Sequence, residues 1–148
     1  MTVTKLKLFV PAAILASTLL ANSNAKDSVG PKAAAAGPRV FEMRTYHAHP
    51  GRLDALNKRF REHTCRLFQK HGMKLIGFWT PEDENQGKAD TLVYILAYPS
   101  REAAKASWKA FQDDPEWKKA REESEKDGKI VAKVESVYLN PTDYSAIK

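Results

Sequence analysis

The stretch FEMRTYHAHPGR, Phe41 to Arg52, gathers a carboxylate, two arginines, a tyrosine and two histidines. Glu42, Arg44 and Tyr46 occupy alternate positions. On an extended strand they share one face, with Phe41, Met43, Thr45 and His47 on the other. A carboxylate and a guanidinium on an interior strand must be paired, because an isolated buried charge is costly. Two arrangements meet that demand. Glu42 and Arg44 can close an ion-pair network across neighbouring strands, or they can line a polar pocket that orients a carboxylate or carbonyl ligand.

His47 and His49 form an H-x-H pair. On a strand such imidazoles can converge, but a zinc site needs a third or fourth ligand. His63 and His71 have no spacing that supplies one, so no metal site is expected. At about 100° per residue, Leu53, Leu56, Phe60, Leu67 and His71 form one helical stripe, flanked by His63 and Thr64. A histidine on that flank looks into the seam between helix and sheet. There it can serve as a general base, a ligand hydrogen-bonder or a haem axial ligand, or sit half-buried against a carboxylate or backbone oxygen. Cys65 falls about 150° from the centre of the stripe, so it is expected to be exposed. With no pocket or base beside it, it is not a nucleophile. It is either inert or available for an intermolecular disulfide.

Trp108, Phe111 and Trp117, with Phe78, Trp79, Tyr94 and Tyr98, are many aromatics for a small domain. They can line an apolar ligand cavity or fill the core. The candidate pocket residues are therefore Glu42, Arg44, Tyr46, His63, Tyr94 and Trp108. The sequence holds no phosphate-binding glycine loop, nucleotide fingerprint or serine-nucleophile elbow.

The elements that must position these residues read as β-α-β-β-α-β. Arg39 to Ala48 is the first strand, and GRLDALNKRFREHTCRLFQKHG the first helix, entered through Pro50 and closed by Gly72. MKLIGFWT and TLVYILAY are strands two and three, joined by the polar PEDENQGKAD. Ser100 caps REAAKASWKAFQ. Asp114 and Pro115 end that helix and begin another, Glu116 to Lys126. KIVAKVESVYL, Lys129 to Leu139, is strand four. This order specifies an α+β, ferredoxin-like fold: a four-stranded antiparallel sheet with the helices on one face. Strand three divides into Val93 and Ile95 against Leu92, Tyr94, Leu96 and Tyr98, and strand four into Ile130, Ala132, Val134 and Tyr138 against Val131, Val137 and Leu139, so both faces carry apolar area. An uncovered apolar face of that size calls for a partner. The expected partner is a second copy, giving a homodimer with sheets packed face to face in a barrel-like core.

The 148 residues suffice for one such domain. Hydrophobic residues make up 43% and charged residues 28%, as in a soluble globular domain. The net charge of +6 is spread along the chain with acids interleaved, so no nucleic-acid partner is expected. Residues 1–25 read as a signal peptide: Lys5 and Lys7, then an apolar run, then Ser23 and Ala25 at a cleavage site. Cleavage after Ala25 leaves no stable membrane span, and the mature protein is expected to be exported, periplasmic or secreted. Residues 26–38, KDSVGPKAAAAGP, read as a flexible linker. Residues 39–148 form the domain. A single cysteine in an exported chain excludes an internal disulfide.

Taken in order, FEMRTYHAHPGRLDALNKRFREHT, GFWT, DTLVYILAYPSREAAKASWKAF, DPEW and VESVYLNPTDYS resemble the NIPSNAP domain, over Arg39 to about Ser145. The resemblance implies membership of the dimeric α+β barrel superfamily, where a small-molecule cleft lies between helices and sheet. It implies no particular activity or cofactor. The leading expectation is a small apolar or aromatic ligand in the helix–sheet cleft, with cofactor-independent oxygenase or isomerase activity as an extension. A non-catalytic dimeric scaffold is the alternative, and haem binding a third option.

Overall fold

The strand carrying Glu42, Arg44 and Tyr46, β1 (Val40–Ala48), lies in the interior of a sheet ordered β2-β3-β1-β4. The structure, a computed structural model, describes residues 39–148. The expected signal peptide and linker lie outside the described residues. Among those described, no helix is long and apolar enough to cross a membrane. β2 (Lys74–Trp79), β3 (Thr91–Tyr98) and β4 (Val131–Leu139) complete an antiparallel sheet.

Register sets which side chains meet. On the helix side, Ser136, Arg44, Tyr94 and Phe78 form one row across the strands, and Tyr138, Glu42, Leu96 and Leu75 the next. On the other side the rows are Val137–Met43–Ile95–Gly77 and Leu139–Phe41–Ala97–Lys74. Two register shifts depart from simple alternation, at Leu75/Gly77 and His47/Ala48. The second corrects the division of strand four. Val131 pairs with Ala48 and packs on the helix-side core rather than sharing a face with Val137 and Leu139. Ile130 is fully buried just ahead of the strand, while Ala132 is exposed.

The first helix is one continuous right-handed run in three parts: α1 (Leu53–Arg59), a π-helical turn (Phe60–Thr64) and α2 (Cys65–Lys70). It starts at Leu53, after a turn at Pro50 and Gly51, so Pro50 precedes the helix rather than opening it. Gly72 follows its end with φ of 78°, a conformation that disfavours any residue with a Cβ. In the π turn the Cys65 N–H donates to the Phe60 carbonyl, and the Thr64 hydroxyl donates to the Arg59 carbonyl at 3.2 Å. The extra residue of a π turn delays everything after it by about 100°. Cys65 thereby moves from the far side to the shoulder of the stripe. It is half-buried against the core, and burial pushes its thiol pKa up. The expectation of an exposed Cys65 is corrected on that ground.

α3 (Arg101–Asp113) begins where Ser100 Oγ accepts from the Ala103 N–H at 3.1 Å. α4 (Pro115–Ser124) begins where Asp114 Oδ1 accepts from the Glu116 N–H at 2.8 Å, with Pro115 needing no partner for its nitrogen. Asp114 also joins α4 to the end of α2. Its Oδ2 lies 2.8 Å from Lys70 Nζ and 2.7 Å from His71 Nε2. Bonds from Lys70, His71 and the Glu116 N–H hold this carboxyl well below the ordinary aspartate value.

A pH signature follows. A carboxyl whose folded pKa is depressed stabilises fully above its unfolded value and loses that contribution as the pH falls from there through the folded one. In Asp114→Asn the cap survives, since asparagine also caps helices, but the charge is lost. Urea unfolding is expected to show the variant less stable at pH 6, with the gap closing as the pH drops below about 4. A gap unchanged from pH 6 to pH 3 would refute the assignment.

The core between helices and sheet is dominated by aromatics. Phe60 meets Tyr46, Phe68, Phe78 and Tyr94 with ring centroids between 5.3 and 6.1 Å. Phe68 adds Trp108 and Phe111. The helix-free face keeps large apolar groups in water: Trp79 is 51% exposed, Val137 49% and Leu139 36%.

Candidate functional site

Glu42 is buried, and each of its oxygens takes two donors. Oε1 accepts from Arg44 Nη1 and Ser136 Oγ, both at 2.7 Å. Oε2 accepts from Tyr98 Oη at 2.9 Å and Trp108 Nε1 at 2.6 Å. Register explains two of these partners, and Arg44 is two residues along the same face of β1. Ser136 sits opposite Arg44 on β4, one step from Glu42 on the same face. Tyr98, two residues beyond Leu96, is the diagonal neighbour of Glu42 on β3. Trp108 reaches down from α3. Burial by itself raises a carboxyl pKa. Here the bonds from Ser136, Trp108 and Arg44, with the Arg44 charge, outweigh it and hold Glu42 below its ordinary value.

Arg44 spans the carboxylate and the surface. Its guanidinium lies 4.2 Å from the Trp108 ring centroid and 5.6 Å from that of Tyr46. Burial works against its charge, but the surrounding groups, Glu42 among them, raise its pKa, so it stays a cation. Tyr94 is fully buried behind it, and its hydroxyl has no hydrogen-bond partner among the described residues. Burial drives the pKa values of Tyr94 and Tyr98 up, which keeps both protonated.

Arg44, Tyr46 and Trp108 open on a cleft of about 570 Å³, walled by α3, α4 and the β1–β4 edge. Val131 and Val134 form its floor on the sheet side, and Phe111 and Trp117 line the helix side. Arg59 enters from α1. Its side chain is only 3% exposed, bonded through Nη1 to Glu125 Oε1 at 3.0 Å and Ser124 Oγ at 3.3 Å. It lies 5.3 Å from the Trp117 ring centroid.

Five of the six predicted residues, Glu42, Arg44, Tyr46, Tyr94 and Trp108, therefore come together. Glu42 and Tyr94 form the closed interior, while Arg44, Tyr46 and Trp108 face the cleft. His63 does not join them. The π turn hands the inward position to Thr64, which is 1% exposed, and turns His63 outward to 37% side-chain exposure beside Glu62. His63 lines a separate groove between α1 and α4. His47 lies 3.6 Å from Glu135 and His49 is exposed. The residues the sequence reading missed are Arg59 and the basic rim of Lys118, Arg121 and Lys129. One signal existed for Arg59: it lies three residues after Leu56, on the edge of the apolar stripe.

These features define a ferredoxin-like α+β domain with a helix–sheet cleft. The NIPSNAP family model matches residues 41–146, and the chain belongs to that family. Among solved structures it is similar to a NIPSNAP family protein of unknown function from Agrobacterium tumefaciens str. C58. The two share 21% identity over 75% of this chain and 95% of that one, with a TM-score of 0.64. It is also similar to an uncharacterised NIPSNAP domain protein from Burkholderia xenovorans, with 23% identity over 72% and 97% of the two chains and a TM-score of 0.60. A NIPSNAP-like domain protein from the same organism shares 17% identity over 72% and 88%, with a TM-score of 0.63. These likenesses establish the fold. No curated protein matches the chain.

Proposed function

We propose that the protein is an exported homodimer that binds one small, partly apolar or aromatic ligand per protomer in the cleft between α3, α4 and the β1–β4 edge. The observation that carries this reading is the arrangement of Arg44. It is clamped from behind by Glu42 and laid on Trp108, so that with Tyr46 it forms a rigid polar and aromatic wall of an open cleft. Preorganised side chains of this kind bind with little ordering cost.

The geometry favours binding over proton-transfer catalysis. Both Glu42 oxygens are occupied by donors, and Tyr94 and Tyr98 are held protonated. His63, the candidate base and haem ligand, lies in another groove. The scaffold alternative draws on a different observation, the inner seam filled by Phe60, Phe68 and Phe78. Export rests on the charged, apolar and small-residue order of residues 1–25.

Native mass spectrometry of protein purified from its own host separates the readings. The expected species is a dimer of chains lacking residues 1–25, each with a bound small molecule that Tyr46→Ala and Trp117→Ala together release. A ligand-free dimer would sink the binding reading and leave the scaffold.

A further inference from the structure

The cleft wall carries five cationic side chains, Arg44, Arg59, Lys118, Arg121 and Lys129, against Glu125 in the wall and Glu42 behind Arg44. Such an excess around a low-dielectric recess concentrates anions. The two arginines are arranged alike. Each uses Nη1 on an internal carboxylate, Arg44 on Glu42 and Arg59 on Glu125. Each lies over a tryptophan, Trp108 and Trp117 respectively. Each leaves Nε buried without a partner, and among the described residues Nη2 makes no hydrogen bond.

The Nε–Nη2 edge is the two-donor fork that matches the two oxygens of a carboxylate. An unpartnered Nε alone is not diagnostic, since Arg52 has one while its Nη2 caps the carbonyls of Ser124 and Gly128. Arg44 and Arg59 differ in leaving Nη2 uncommitted as well, and both line one cleft. A buried donor left unmade costs free energy that an incoming acceptor recovers.

We propose that the cleft takes a small aromatic carboxylate. Its charge is held by the uncommitted Nη2 groups of Arg44 and Arg59 within the field of the rim lysines Lys118 and Lys129. Its ring lies against Tyr46, Val131 and Val134. This inference rests on the ligand-binding reading above and adds the sign and shape of the ligand. Neither guanidinium can be supplied by lysine, whose ammonium is a point charge without a fork.

The test is an NMR titration of the three tryptophan indole N–H signals with 1-naphthoate and its neutral counterpart 1-naphthamide. Trp108 and Trp117 line the cleft, while Trp79 pairs with Val93 at the far side of the sheet and serves as the internal control. The expected result is movement of the Trp108 and Trp117 signals only, with naphthoate binding at least tenfold more tightly. That preference is expected to fall several-fold in Arg59→Lys. It is also expected to fall in Lys118→Gln with Lys129→Gln, whose exposed side chains are not needed for folding. Equal affinity for acid and amide would overturn the anion assignment while leaving a ligand cleft. Displacement of naphthoate by equimolar inorganic phosphate would overturn the carboxylate assignment. No binding of either probe, in protein that also co-purifies with no ligand, would overturn both readings.

Discussion

Replacing Glu42 with glutamine is expected to destabilise the protein by about 3–5 kcal/mol, the range for removing one partner of a buried ion pair. The size follows from what remains. Arg44 keeps its charge, still sandwiched against Trp108, with its anion gone. The amide can accept on one oxygen only, whereas four donors converge on the carboxylate from Arg44, Ser136, Tyr98 and Trp108. Two of them are left facing another donor, and each buried unsatisfied group adds about 1–3 kcal/mol. Urea unfolding followed by circular dichroism reads the change. Pairing the substitution with Arg44→Gln isolates the coupling: the double variant is expected to be less unstable than the sum of the singles, because no orphaned charge remains. A loss below about 1 kcal/mol for Glu42→Gln would mean that the carboxylate is not a structural keystone. It would return Glu42 to the list of groups free to act on a ligand.

The same residues show how far a sequence can be read. Alternation alone placed Glu42, Arg44 and Tyr46 on one face, because the side-chain period of a strand leaves no freedom. β3 runs Thr91–Tyr98, as its β-branched and aromatic run dictates. The caps at Ser100 and Asp114 form as local hydrogen-bonding chemistry requires. What alternation could not decide was whether Glu42 and Arg44 pair or line a pocket, and the two prove to be successive layers. Glu42 closes the network and Arg44 turns outward. Glu42's partners Ser136 and Trp108 are separated from it by 94 and 66 residues, so only the sheet register and the seating of α3 bring them in.

The first helix was misread for a single physical reason. A uniform 100° step assumes i→i+4 bonding throughout, and Phe60–Thr64 does not keep it. No glycine or proline marks the π turn in this segment. One inserted residue turns Cys65 in and gives the inward position to Thr64, leaving His63 half-buried beside Glu62. Burial of Arg59 was invisible for another reason. A charged residue on a helix flank normally stays in water, and only Glu125 and Ser124 at the end of α4 make its burial tolerable.

Val137→Lys is expected to convert the proposed homodimer to monomers at about 10 μM, with association weakened roughly a thousandfold. Val137 heads the cross-sheet row Val137–Met43–Ile95–Gly77 on the helix-free face. A side chain on Gly77 would strike the Trp79 ring, so the glycine lets that indole fold over the sheet and extend the apolar surface. Trp79, Val137 and Leu139 leave too much apolar area in water for a face with no function. If two copies pack these faces together, a two-fold axis places the new lysine in the interface twice. Burying each ammonium without a partner costs a few kcal/mol. About 4 kcal/mol in all is a thousandfold in the dissociation constant at about 1.4 kcal/mol per tenfold. Light scattering after size exclusion measures the mass directly. Ala110→Lys, on the exposed side of α3, adds the same charge and is expected to leave the dimer intact. A wild-type monomer at this concentration, or a Val137→Lys dimer of unchanged affinity, would show that the helix-free face is covered by something other than its own copy.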